Sequence, residues 1–294
     1  MFAIVGILLV FGAVIGGFLM EKGHIAVLVQ PAEFLIIVGA GLGTLLIANP
    51  IHTLKEIGSS ALGVFGKSHY TKGRYVSMLK MMFELLNKVR RSGMLSIEAD
   101  IEDPAESLIF KEYPDFVHDA PVCSFVCDTM RMAVTGGVEP FDLDQMMDLD
   151  MEVQHHCAHQ PVASLLTAAD SLPGLGIVAA VLGVVITMGA LGGPAEEIGR
   201  KVAAALVGTF LGILLCYGLV GPIGSFMSKE AEEEHAFLYV LRVLMISFIK
   251  GNAPVQAVEM ARRAVPMHMR PTFAEVEAAC HGQQAGASAE EKVA

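Results

Sequence analysis

Charged side chains of opposite sign follow one another in the long polar segment 51–165. Lys88, Arg90 and Arg91 form a basic group, and an acidic stretch begins at Glu98. Charges arranged in this way could steer repeated encounters with a charged partner protein, while a plain solvated face is the alternative interpretation. The spacing therefore defines one candidate contact surface, with both interpretations open.

A second group of reactive side chains lies near the end of the same segment. His155 and His159 are about one helical turn apart, with His156 and Cys157 between them. Imidazole and thiolate bind Zn²⁺ well, but a structural zinc site needs about four ligands that converge on one point. Successive residues of a helix point to different faces, so we expect a solvated helix end and no metal site. Metal sensing stays an alternative.

The sequence contains no motif of a nucleotide-binding or hydrolytic active site. A Walker loop, a GxGxxG turn, a GxSxG elbow and an HExxH zinc motif are all missing. We therefore expect a protein that is not an enzyme and that carries no cofactor. The net charge of −11 and the isoelectric point near 5.3 offer no basic face for nucleic acid, so no nucleic-acid partner is expected.

Four apolar runs dominate the rest of the chain, which is 53% hydrophobic, only 17% charged and has a mean hydropathy of +0.56. The runs cover residues 2–20, 34–50, 171–191 and 202–227, and none of them contains Asp, Glu, Lys or Arg. A helix needs about 20 apolar residues to cross the hydrocarbon core of a bilayer. The pattern predicts four transmembrane helices in two hairpins. The first run lacks the basic start and small-residue cleavage site of a signal peptide.

The spacing of the runs predicts an all-α polytopic membrane protein with four transmembrane helices and a cytoplasmic helical domain. We expect a first transmembrane hairpin at residues 1–50, a helical loop domain at 51–165, a second hairpin at 166–227, and a tail at 228–294 that is helical and then disordered from about 281. Two helices separate the long loop from the tail, so both lie on one side of the membrane. The distribution of Lys and Arg places that side in the cytoplasm by a thin margin.

The polar pieces show the periodicity of amphipathic helices. Apolar residues recur at helical spacing between Tyr75 and Val89. Further helices are predicted at residues 121–134, 142–159, 254–265 and 271–280. The helix at 142–159 leads into the third span. Gly251 ends a helix that continues from the fourth span.

The spans contain few polar side chains, and these are the candidates for an ion path. Hydroxyl, thiol and phenol groups occur at Thr44, Thr187, Thr209, Cys216 and Tyr217. No acid lies within a span, since Glu33 and Asp170 stand only at span edges. A carrier of protons usually needs a titratable group within the membrane, so a partner chain would have to supply the carboxylate.

Proline and glycine set the geometry of the spans. Pro173 stands at the start of the third run and Pro222 late in the fourth, and the hairpin topology puts both near the same membrane face. Proline in the first helical turn is an ordinary start signal, whereas an internal proline frees a carbonyl and can bend the helix. Gly208 and Gly212, four residues apart, predict a face on which helix backbones approach closely.

Several segments resemble the MotA family of flagellar stator proteins, within the MotA/TolQ/ExbB proton channel family. The third span opens with Asp170-Ser171-Leu172-Pro173-Gly174, and the fourth contains Val207-Gly208-Thr209-Phe210-Leu211-Gly212. The family also has counterparts of Gln30-Pro31-Ala32-Glu33, of the segment 93–98 and of the segment 251–273. The resemblance extends over nearly the whole chain.

Membership of that family would imply a multi-pass protein of the bacterial inner membrane, embedded in lipid, with the long loop and the tail in the cytoplasm. MotA-like chains form a homo-oligomer, a pentamer, around two copies of MotB. MotB supplies one transmembrane helix that carries the channel aspartate, which fits the absence of an acid within the spans. Ion flow, normally of protons, then drives the rotor protein FliG and produces torque.

The resemblance also implies roles for particular residues. Arg90 and Glu98 match the charged pair with which the family engages FliG. The positions that match its ion path are Pro173, Ala180, Thr209, Tyr217 and Pro222. The two prolines correspond to those at the cytoplasmic end of that path, and Thr209 corresponds to its channel-side threonine.

Alternatives stay open at this point. A subunit resembling ExbB or TolQ uses the same ion-driven principle to energise the cell envelope, but those chains usually have three spans and this one shows four. A transporter with its own substrate path is a further alternative, although no internal repeat is visible. Thr187-Met188 and the loop 192–194 depart from the enterobacterial pattern, which leaves open whether the coupling ion is a proton or sodium. The stoichiometry and the plugged or active state are equally open.

Overall fold

A computed structural model describes residues 2–66, 69–189, 192 and 194–281, and these residues form helices and turns without a strand. The chain divides into two compact units. Met1–Lys67 and Cys157–Ala231 form the first, here called the membrane unit, and Ser68–His156 and Glu232–Ala294 form the second, the polar unit. The disorder predicted from about residue 281 falls on residues outside the described part.

The helices in chain order are α1 (Phe2–Met20), α2 (Ile25–Leu28), α3 (Pro31–Ala48), α4 (Ile51–Gly63), α5 (Lys72–Ser92), α6 (Glu98–Glu102), α7 (Pro114–Val117), α8 (Ala120–Thr135), α9 (Pro140–Met188), α10 (Ala195–Leu215), α11 (Gly221–Ile249), α12 (Pro254–Ala264) and α13 (Phe273–His281). Short 3₁₀ turns at Met94–Ile97 and Phe110–Glu112 connect helices of the polar unit. A π turn at Cys216–Val220 joins α10 to α11.

Within the part of the chain that the structure describes, four helical stretches are long and apolar enough to cross a membrane, as the sequence predicts. They are Ala3–Met20, Ile25–Ala48, Pro140–Met188 and Ala195–Ile249. The first has none of its residues buried within the chain. Its apolar side chains therefore have to be covered by lipid or by another chain, because water would solvate them poorly.

Proline marks helix starts and, in one helix, also lies in the interior. Pro31 begins α3 and Pro254 begins α12, where the missing N–H costs nothing. The expectation that Pro173 stands in a first helical turn is wrong: α9 is one helix of 49 residues with Pro161 and Pro173 inside it. The apolar run begins near Pro173, but the helix itself begins far earlier, because the amphipathic segment at 142–159 continues into it without a break.

The polar unit has its own apolar core, which centres on α5. Leu79, Met82 and Leu86 are fully buried there, as the periodicity between Tyr75 and Val89 predicts. Helices α12 and α13 pack against α5. The hydrogen bond from Lys72 to Glu275, at 2.7 Å, joins α5 to α13. This bond, together with hydrogen bonds from the Thr272 N–H and hydroxyl, lowers the pKa of the Glu275 carboxyl to about 2.

A buried ion pair joins α5 to α8 inside the polar unit. Arg74 and Asp119 form a salt bridge with side chains only 9% and 7% exposed. The guanidinium also lies 5.0 Å from the ring centre of Tyr70 and 5.3 Å from that of Phe237. Asp119 in addition caps α8, because its carboxylate accepts a hydrogen bond from the Val122 N–H.

We expect Asp119→Asn to lower the free energy of unfolding by about 3–5 kcal/mol, because it leaves the Arg74 charge buried without compensation. The Asn amide oxygen can still accept from the Val122 N–H, so the loss reports the charge and not the cap. Thermal unfolding of the detergent-solubilised protein measures it. The matched control is Glu106→Gln, which breaks an exposed pair with Lys111 and should leave the midpoint nearly unchanged. Equal midpoints for both variants would contradict the prediction.

Candidate functional site

Helices α9 and α10 of the membrane unit approach each other so closely that their backbones are in contact. A Cβ placed on Gly212 would lie 2.5 Å from the carbonyl oxygen of Leu172, and one on Gly176 would lie 2.8 Å from that of Gly208. Both distances are too short for real carbon atoms, so only glycine fits. We call this contact of Gly176, Gly183, Gly208 and Gly212 the glycine seam. The seam confirms the close approach predicted from Gly208 and Gly212, and it places the partner helix within this chain.

Two of the predicted ion-path residues lie at the glycine seam. The backbone N of Ala180 is 3.3 Å from a Cβ placed on Gly208, and the Cα of Thr209 is 3.3 Å from one placed on Gly176. Both side chains are half-buried. Ala180 and Thr209 thus both lie at the seam, one on each of its two helices.

The hydroxyl of Thr209 differs from those of the other threonines in the spans. Thr44 donates to the Gly41 carbonyl and Thr187 to the Gly183 carbonyl, each at 2.8 Å. These two hydroxyls are used within their own helices. Thr209 makes no hydrogen bond to any residue that the structure describes, so its hydroxyl is available to water or to a partner chain.

A π turn lies next to the second proline of the predicted ion path. Pro222 has no N–H to donate, and the helix widens over Cys216–Val220 immediately before it. The Gly221 N–H donates to the Cys216 carbonyl, and a Cβ on Gly221 would lie 2.7 Å from that oxygen. Tyr217 lies within this turn and is 71% exposed. The sequence predicts a bend at Pro222 but not this local widening, which often marks functional sites.

Pro173 and Pro222 do not lie at the same level, contrary to the expectation from the hairpin topology. The seam pairs Leu172 with Gly212, and a Cβ on Gly224 would contact the side chain of Leu166. In this antiparallel register Pro222 lies about two helical turns, about 10 Å, beyond the level of Pro173. Hydropathy places the ends of the spans, but it cannot show the register between them.

The charged residues of the polar unit separate into structural pairs and free charges. Lys88 bonds Asp100 at 2.6 Å, and the Ser107 hydroxyl donates to the same buried carboxylate at 2.7 Å. Arg90 and Glu98 are exposed and have no ion-pair partner among the described residues. Lys88 and Asp100 therefore pair within the polar unit. Arg90 and Glu98 are available to another molecule.

The local structure explains why the Arg90 and Glu98 side chains are both exposed at the surface of the polar unit. Arg90 lies in the last turn of α5, which ends at Gly93 with a φ of 85°. The 3₁₀ turn that follows buries Ile97 completely, and Glu98 then begins α6. The two exposed charges thus stand on either side of one anchored turn.

The histidine cluster does not converge. His155 packs its ring against that of His235, with centroids 4.6 Å apart, while His156 and Cys157 are exposed. Within the described ranges no group of three or more His, Cys, Asp or Glu side chains is placed to hold a metal ion.

Sequence reasoning missed one buried acid in the membrane unit. Glu33 is the third residue of α3 and not an edge residue, and only 7% of it is exposed. Its carboxyl lies against Gly183 and Gly208 of the seam. The Pro31 start signal was the available clue, because it places Glu33 inside the first turn of the helix.

Two protein-family models match the sequence. The family described as Motility protein A N-terminal matches residues 4–93, and the MotA/TolQ/ExbB proton channel family matches residues 118–238. The Motility protein A of Salmonella typhimurium is 39% identical over 277 residues, which cover 94% of each chain. The Motility protein A of Escherichia coli is likewise 39% identical over 94% of each chain. Chemotaxis protein LafT of Vibrio parahaemolyticus is 33% identical over 92% of this chain and 95% of its own.

Solved structures share the fold. The structure of C. jejuni MotAB has a TM-score of 0.75 at 17% identity, covering 92% of this chain and 98% of that one. The MotAB stator complex of Bacillus subtilis has a TM-score of 0.70 at 24% identity, covering 90% and 94%.

The four membrane-length helices, the glycine seam and the family matches define a channel subunit of the MotA/TolQ/ExbB class, which is not an enzyme class. Within that class the chain belongs to the motility protein A family of flagellar stator subunits. It is accordingly a multi-pass protein of the inner membrane.

We expect Gly212→Ala to destabilise the membrane unit by about 1–3 kcal/mol, because the added Cβ meets the Leu172 carbonyl and overpacks the seam. The midpoint of thermal unfolding in detergent measures it. Gly199→Ala is the matched control on the same helix, since nothing lies within 4 Å of its added Cβ. Stabilities that are equal for the two variants would show that α9 and α10 can separate without cost.

Proposed function

We propose that this chain forms the ion path of a flagellar stator together with MotB and converts ion flow into torque on the rotor protein FliG. The two solved structures named above are of MotAB, which supports MotB as the partner. The chain would form a pentamer around two copies of MotB, with the polar unit in the cytoplasm. The coupling ion is a proton, with sodium as the alternative.

The observation that carries this proposal is the glycine seam with a free Thr209 hydroxyl beside it. Ala180 and Thr209 both lie at the seam, while apolar side chains of α9 such as Val178, Val181 and Val185 remain exposed. A partner helix that brings an aspartate into the membrane could pack on such a face. Thr209 would then offer the hydroxyl group beside which ions pass.

Ion passage can change the helix geometry because charge is costly in hydrocarbon. Protonation of the partner's aspartate removes a charge, and the contacts of the partner helix with α9 and α10 change with it. The interior Pro173 and the π turn before Pro222 are the places where these two helices can adjust. Both α9 and α11 also contribute residues to the polar unit, so such an adjustment has a covalent path to it.

Arg90 and Glu98 would transmit the resulting movement to the rotor. Each is exposed, and each lacks a partner among the residues described in the structure. A screened surface pair is worth little as a static bond. Steering repeated encounters with complementary charges on FliG is therefore the role that their exposure supports.

A subunit resembling ExbB or TolQ is the second candidate, since one of the two family models includes those proteins. The match of residues 4–93 to the Motility protein A N-terminal family favours the stator. The four membrane-length helices favour it as well.

Complementation of a stator-deleted strain tests the proposed function. We expect the chain, expressed with MotB from its own genome, to restore flagellar rotation that continues without sodium and stops with a protonophore. Rotation that follows the sodium concentration would keep the stator and change the ion. Correct insertion of both proteins without any rotation would contradict the proposal and favour the envelope-energising alternative.

Charge reversal tests the rotor contact separately. We expect Arg90→Glu and Glu98→Lys each to reduce torque, and a compensating reversal on FliG to restore part of it, because the contact depends on charge sign. Rotation speed of tethered cells under high load measures torque. Lys111→Glu is the control, since it changes an exposed Lys of the same unit that lies outside the proposed contact. Normal torque in both variants would leave the pair as a solvated face.

A further inference from the structure

A carboxyl group lies inside the membrane unit without any hydrogen-bond partner at one of its oxygens. The Glu33 side chain is buried, with only 7% of the residue exposed, and its Oε2 has no partner among the described residues. A Cβ placed on Gly208 would lie 2.7 Å from Oε2, and one on Gly183 would lie 3.5 Å from Oε1. The carboxyl of α3 therefore points into the glycine seam, against both helices.

Small residues of α9 and α10 lie beside this carboxyl. Gly183 and Gly208 face it, a Cβ on Gly183 would meet Ala205, and one on Gly208 would meet Ala179. None of these four residues has a polar side chain that could bind a carboxylate. Oε2 occupies space that a Cβ on Gly208 would need, whereas one on Gly183 would make an ordinary contact with Oε1.

The position of Glu33 along the helices is within the apolar part of the unit. Gly208 lies seven residues beyond Lys201, which is about 10 Å along the axis of α10. From Val202 onward α10 contains no charged residue. A carboxylate anion is costly in such surroundings, whereas the neutral acid is tolerated.

Neither helix capping nor sodium binding accounts well for the position of Glu33. An acid in the first turn of a helix can bind free backbone N–H groups, but Oε2 accepts no hydrogen bond from any described residue. A sodium site needs several oxygen ligands, which membrane proteins often take from unwound helices. The Gly183 and Gly208 turns beside Glu33 lie within α-helices and are not unwound. A proton is the ligand that a single carboxyl can bind without further oxygens.

We propose that Glu33 is a proton-binding site of this chain, additional to the aspartate that the partner supplies. Oε2 takes up a proton from the aqueous phase at the Lys201 end of α10 and becomes a neutral carboxylic acid in the seam. When α9 and α10 shift, water enters the seam and accepts the same proton, so that the O–H bond breaks and the carboxylate forms again. The use of this proton for ion entry into the stator rests on the proposed function, whereas the binding of the proton to Glu33 does not.

Infrared spectroscopy of the complete stator complex in lipid detects the bound proton directly. We expect the carbonyl stretch of a protonated carboxylic acid in the wild-type complex at neutral pH. The band should persist when the partner's channel aspartate is changed to Asn, and it should be lost when Glu33→Gln is added to that variant. Glu196→Gln in the same background is the control, since this exposed acid lies in the first turn of α10 and should leave the band unchanged. A band that survives Glu33→Gln in the absence of the partner's aspartate, or no band before that change, would overturn the proposal.

Rotation measurements then test the use of this proton. Gln is close in size to the neutral acid and cannot titrate, so Glu33→Gln should assemble and lose the dependence of rotation speed on external pH, while Glu33→Asp should retain part of it. Unchanged pH dependence in Glu33→Gln, in a strain where the wild type rotates, would overturn the entry role and leave the stator function standing. If the wild type itself fails to rotate, the stator function fails, and the infrared result still decides the proton site.

Discussion

The close approach of α9 and α10 is the constraint on which the rest of the membrane unit depends. Lipid provides little hydrophobic force between helices, so their association relies on backbone contact and van der Waals packing. At Gly176, Gly208 and Gly212 that contact is so tight that one added carbon atom would collide with its neighbours. The same contact fixes the antiparallel register, and the register decides which side chains meet. Thr209 and Ala180 both lie at the seam for this reason, and the Glu33 carboxyl packs against it.

While the seam is closed its tight packing resists bending, so the two helices are expected to bend at other places along their length. Interior proline at position 173 and the π turn over Cys216–Val220 supply two such places, at different depths along the pair. The polar unit is stiffened by other means, above all by the buried pair of Arg74 and Asp119. Helices that are closely packed in one stretch and irregular in another can transmit a small displacement along their length. A closely packed interface deforms little, so the displacement is passed on.

The sequence predicted the parts of this structure that depend on local composition. Four spans, the amphipathic helix around Leu79 and the break at Gly251 all follow from periodicity or from single residues with special backbone needs. The parts that it missed depend on register or on long-range contact. Pro173 looked like a helix start because hydropathy reports the membrane and not the helix. The two prolines looked level because span ends say nothing about pairing. Lys88 and Arg90 looked alike, although only tertiary structure makes Asp100 a partner of the first.

The burial of Glu33 also depends on long-range contact, which the sequence did not show. It changes the conclusion that no acid of this chain lies within the apolar part of the spans. From the sequence, the absence of an interior acid implied that every titratable group of the ion path must come from a partner. A carboxyl held between Gly183 and Gly208 removes that necessity, since this chain has an acid of its own against the seam. Its protonation state and the seam are coupled by geometry. A neutral acid can pack on glycine backbone, whereas a carboxylate requires water or a cation, and either of these needs space that α9 and α10 provide only by moving apart. Closing of the seam therefore favours proton binding, and proton release favours its opening.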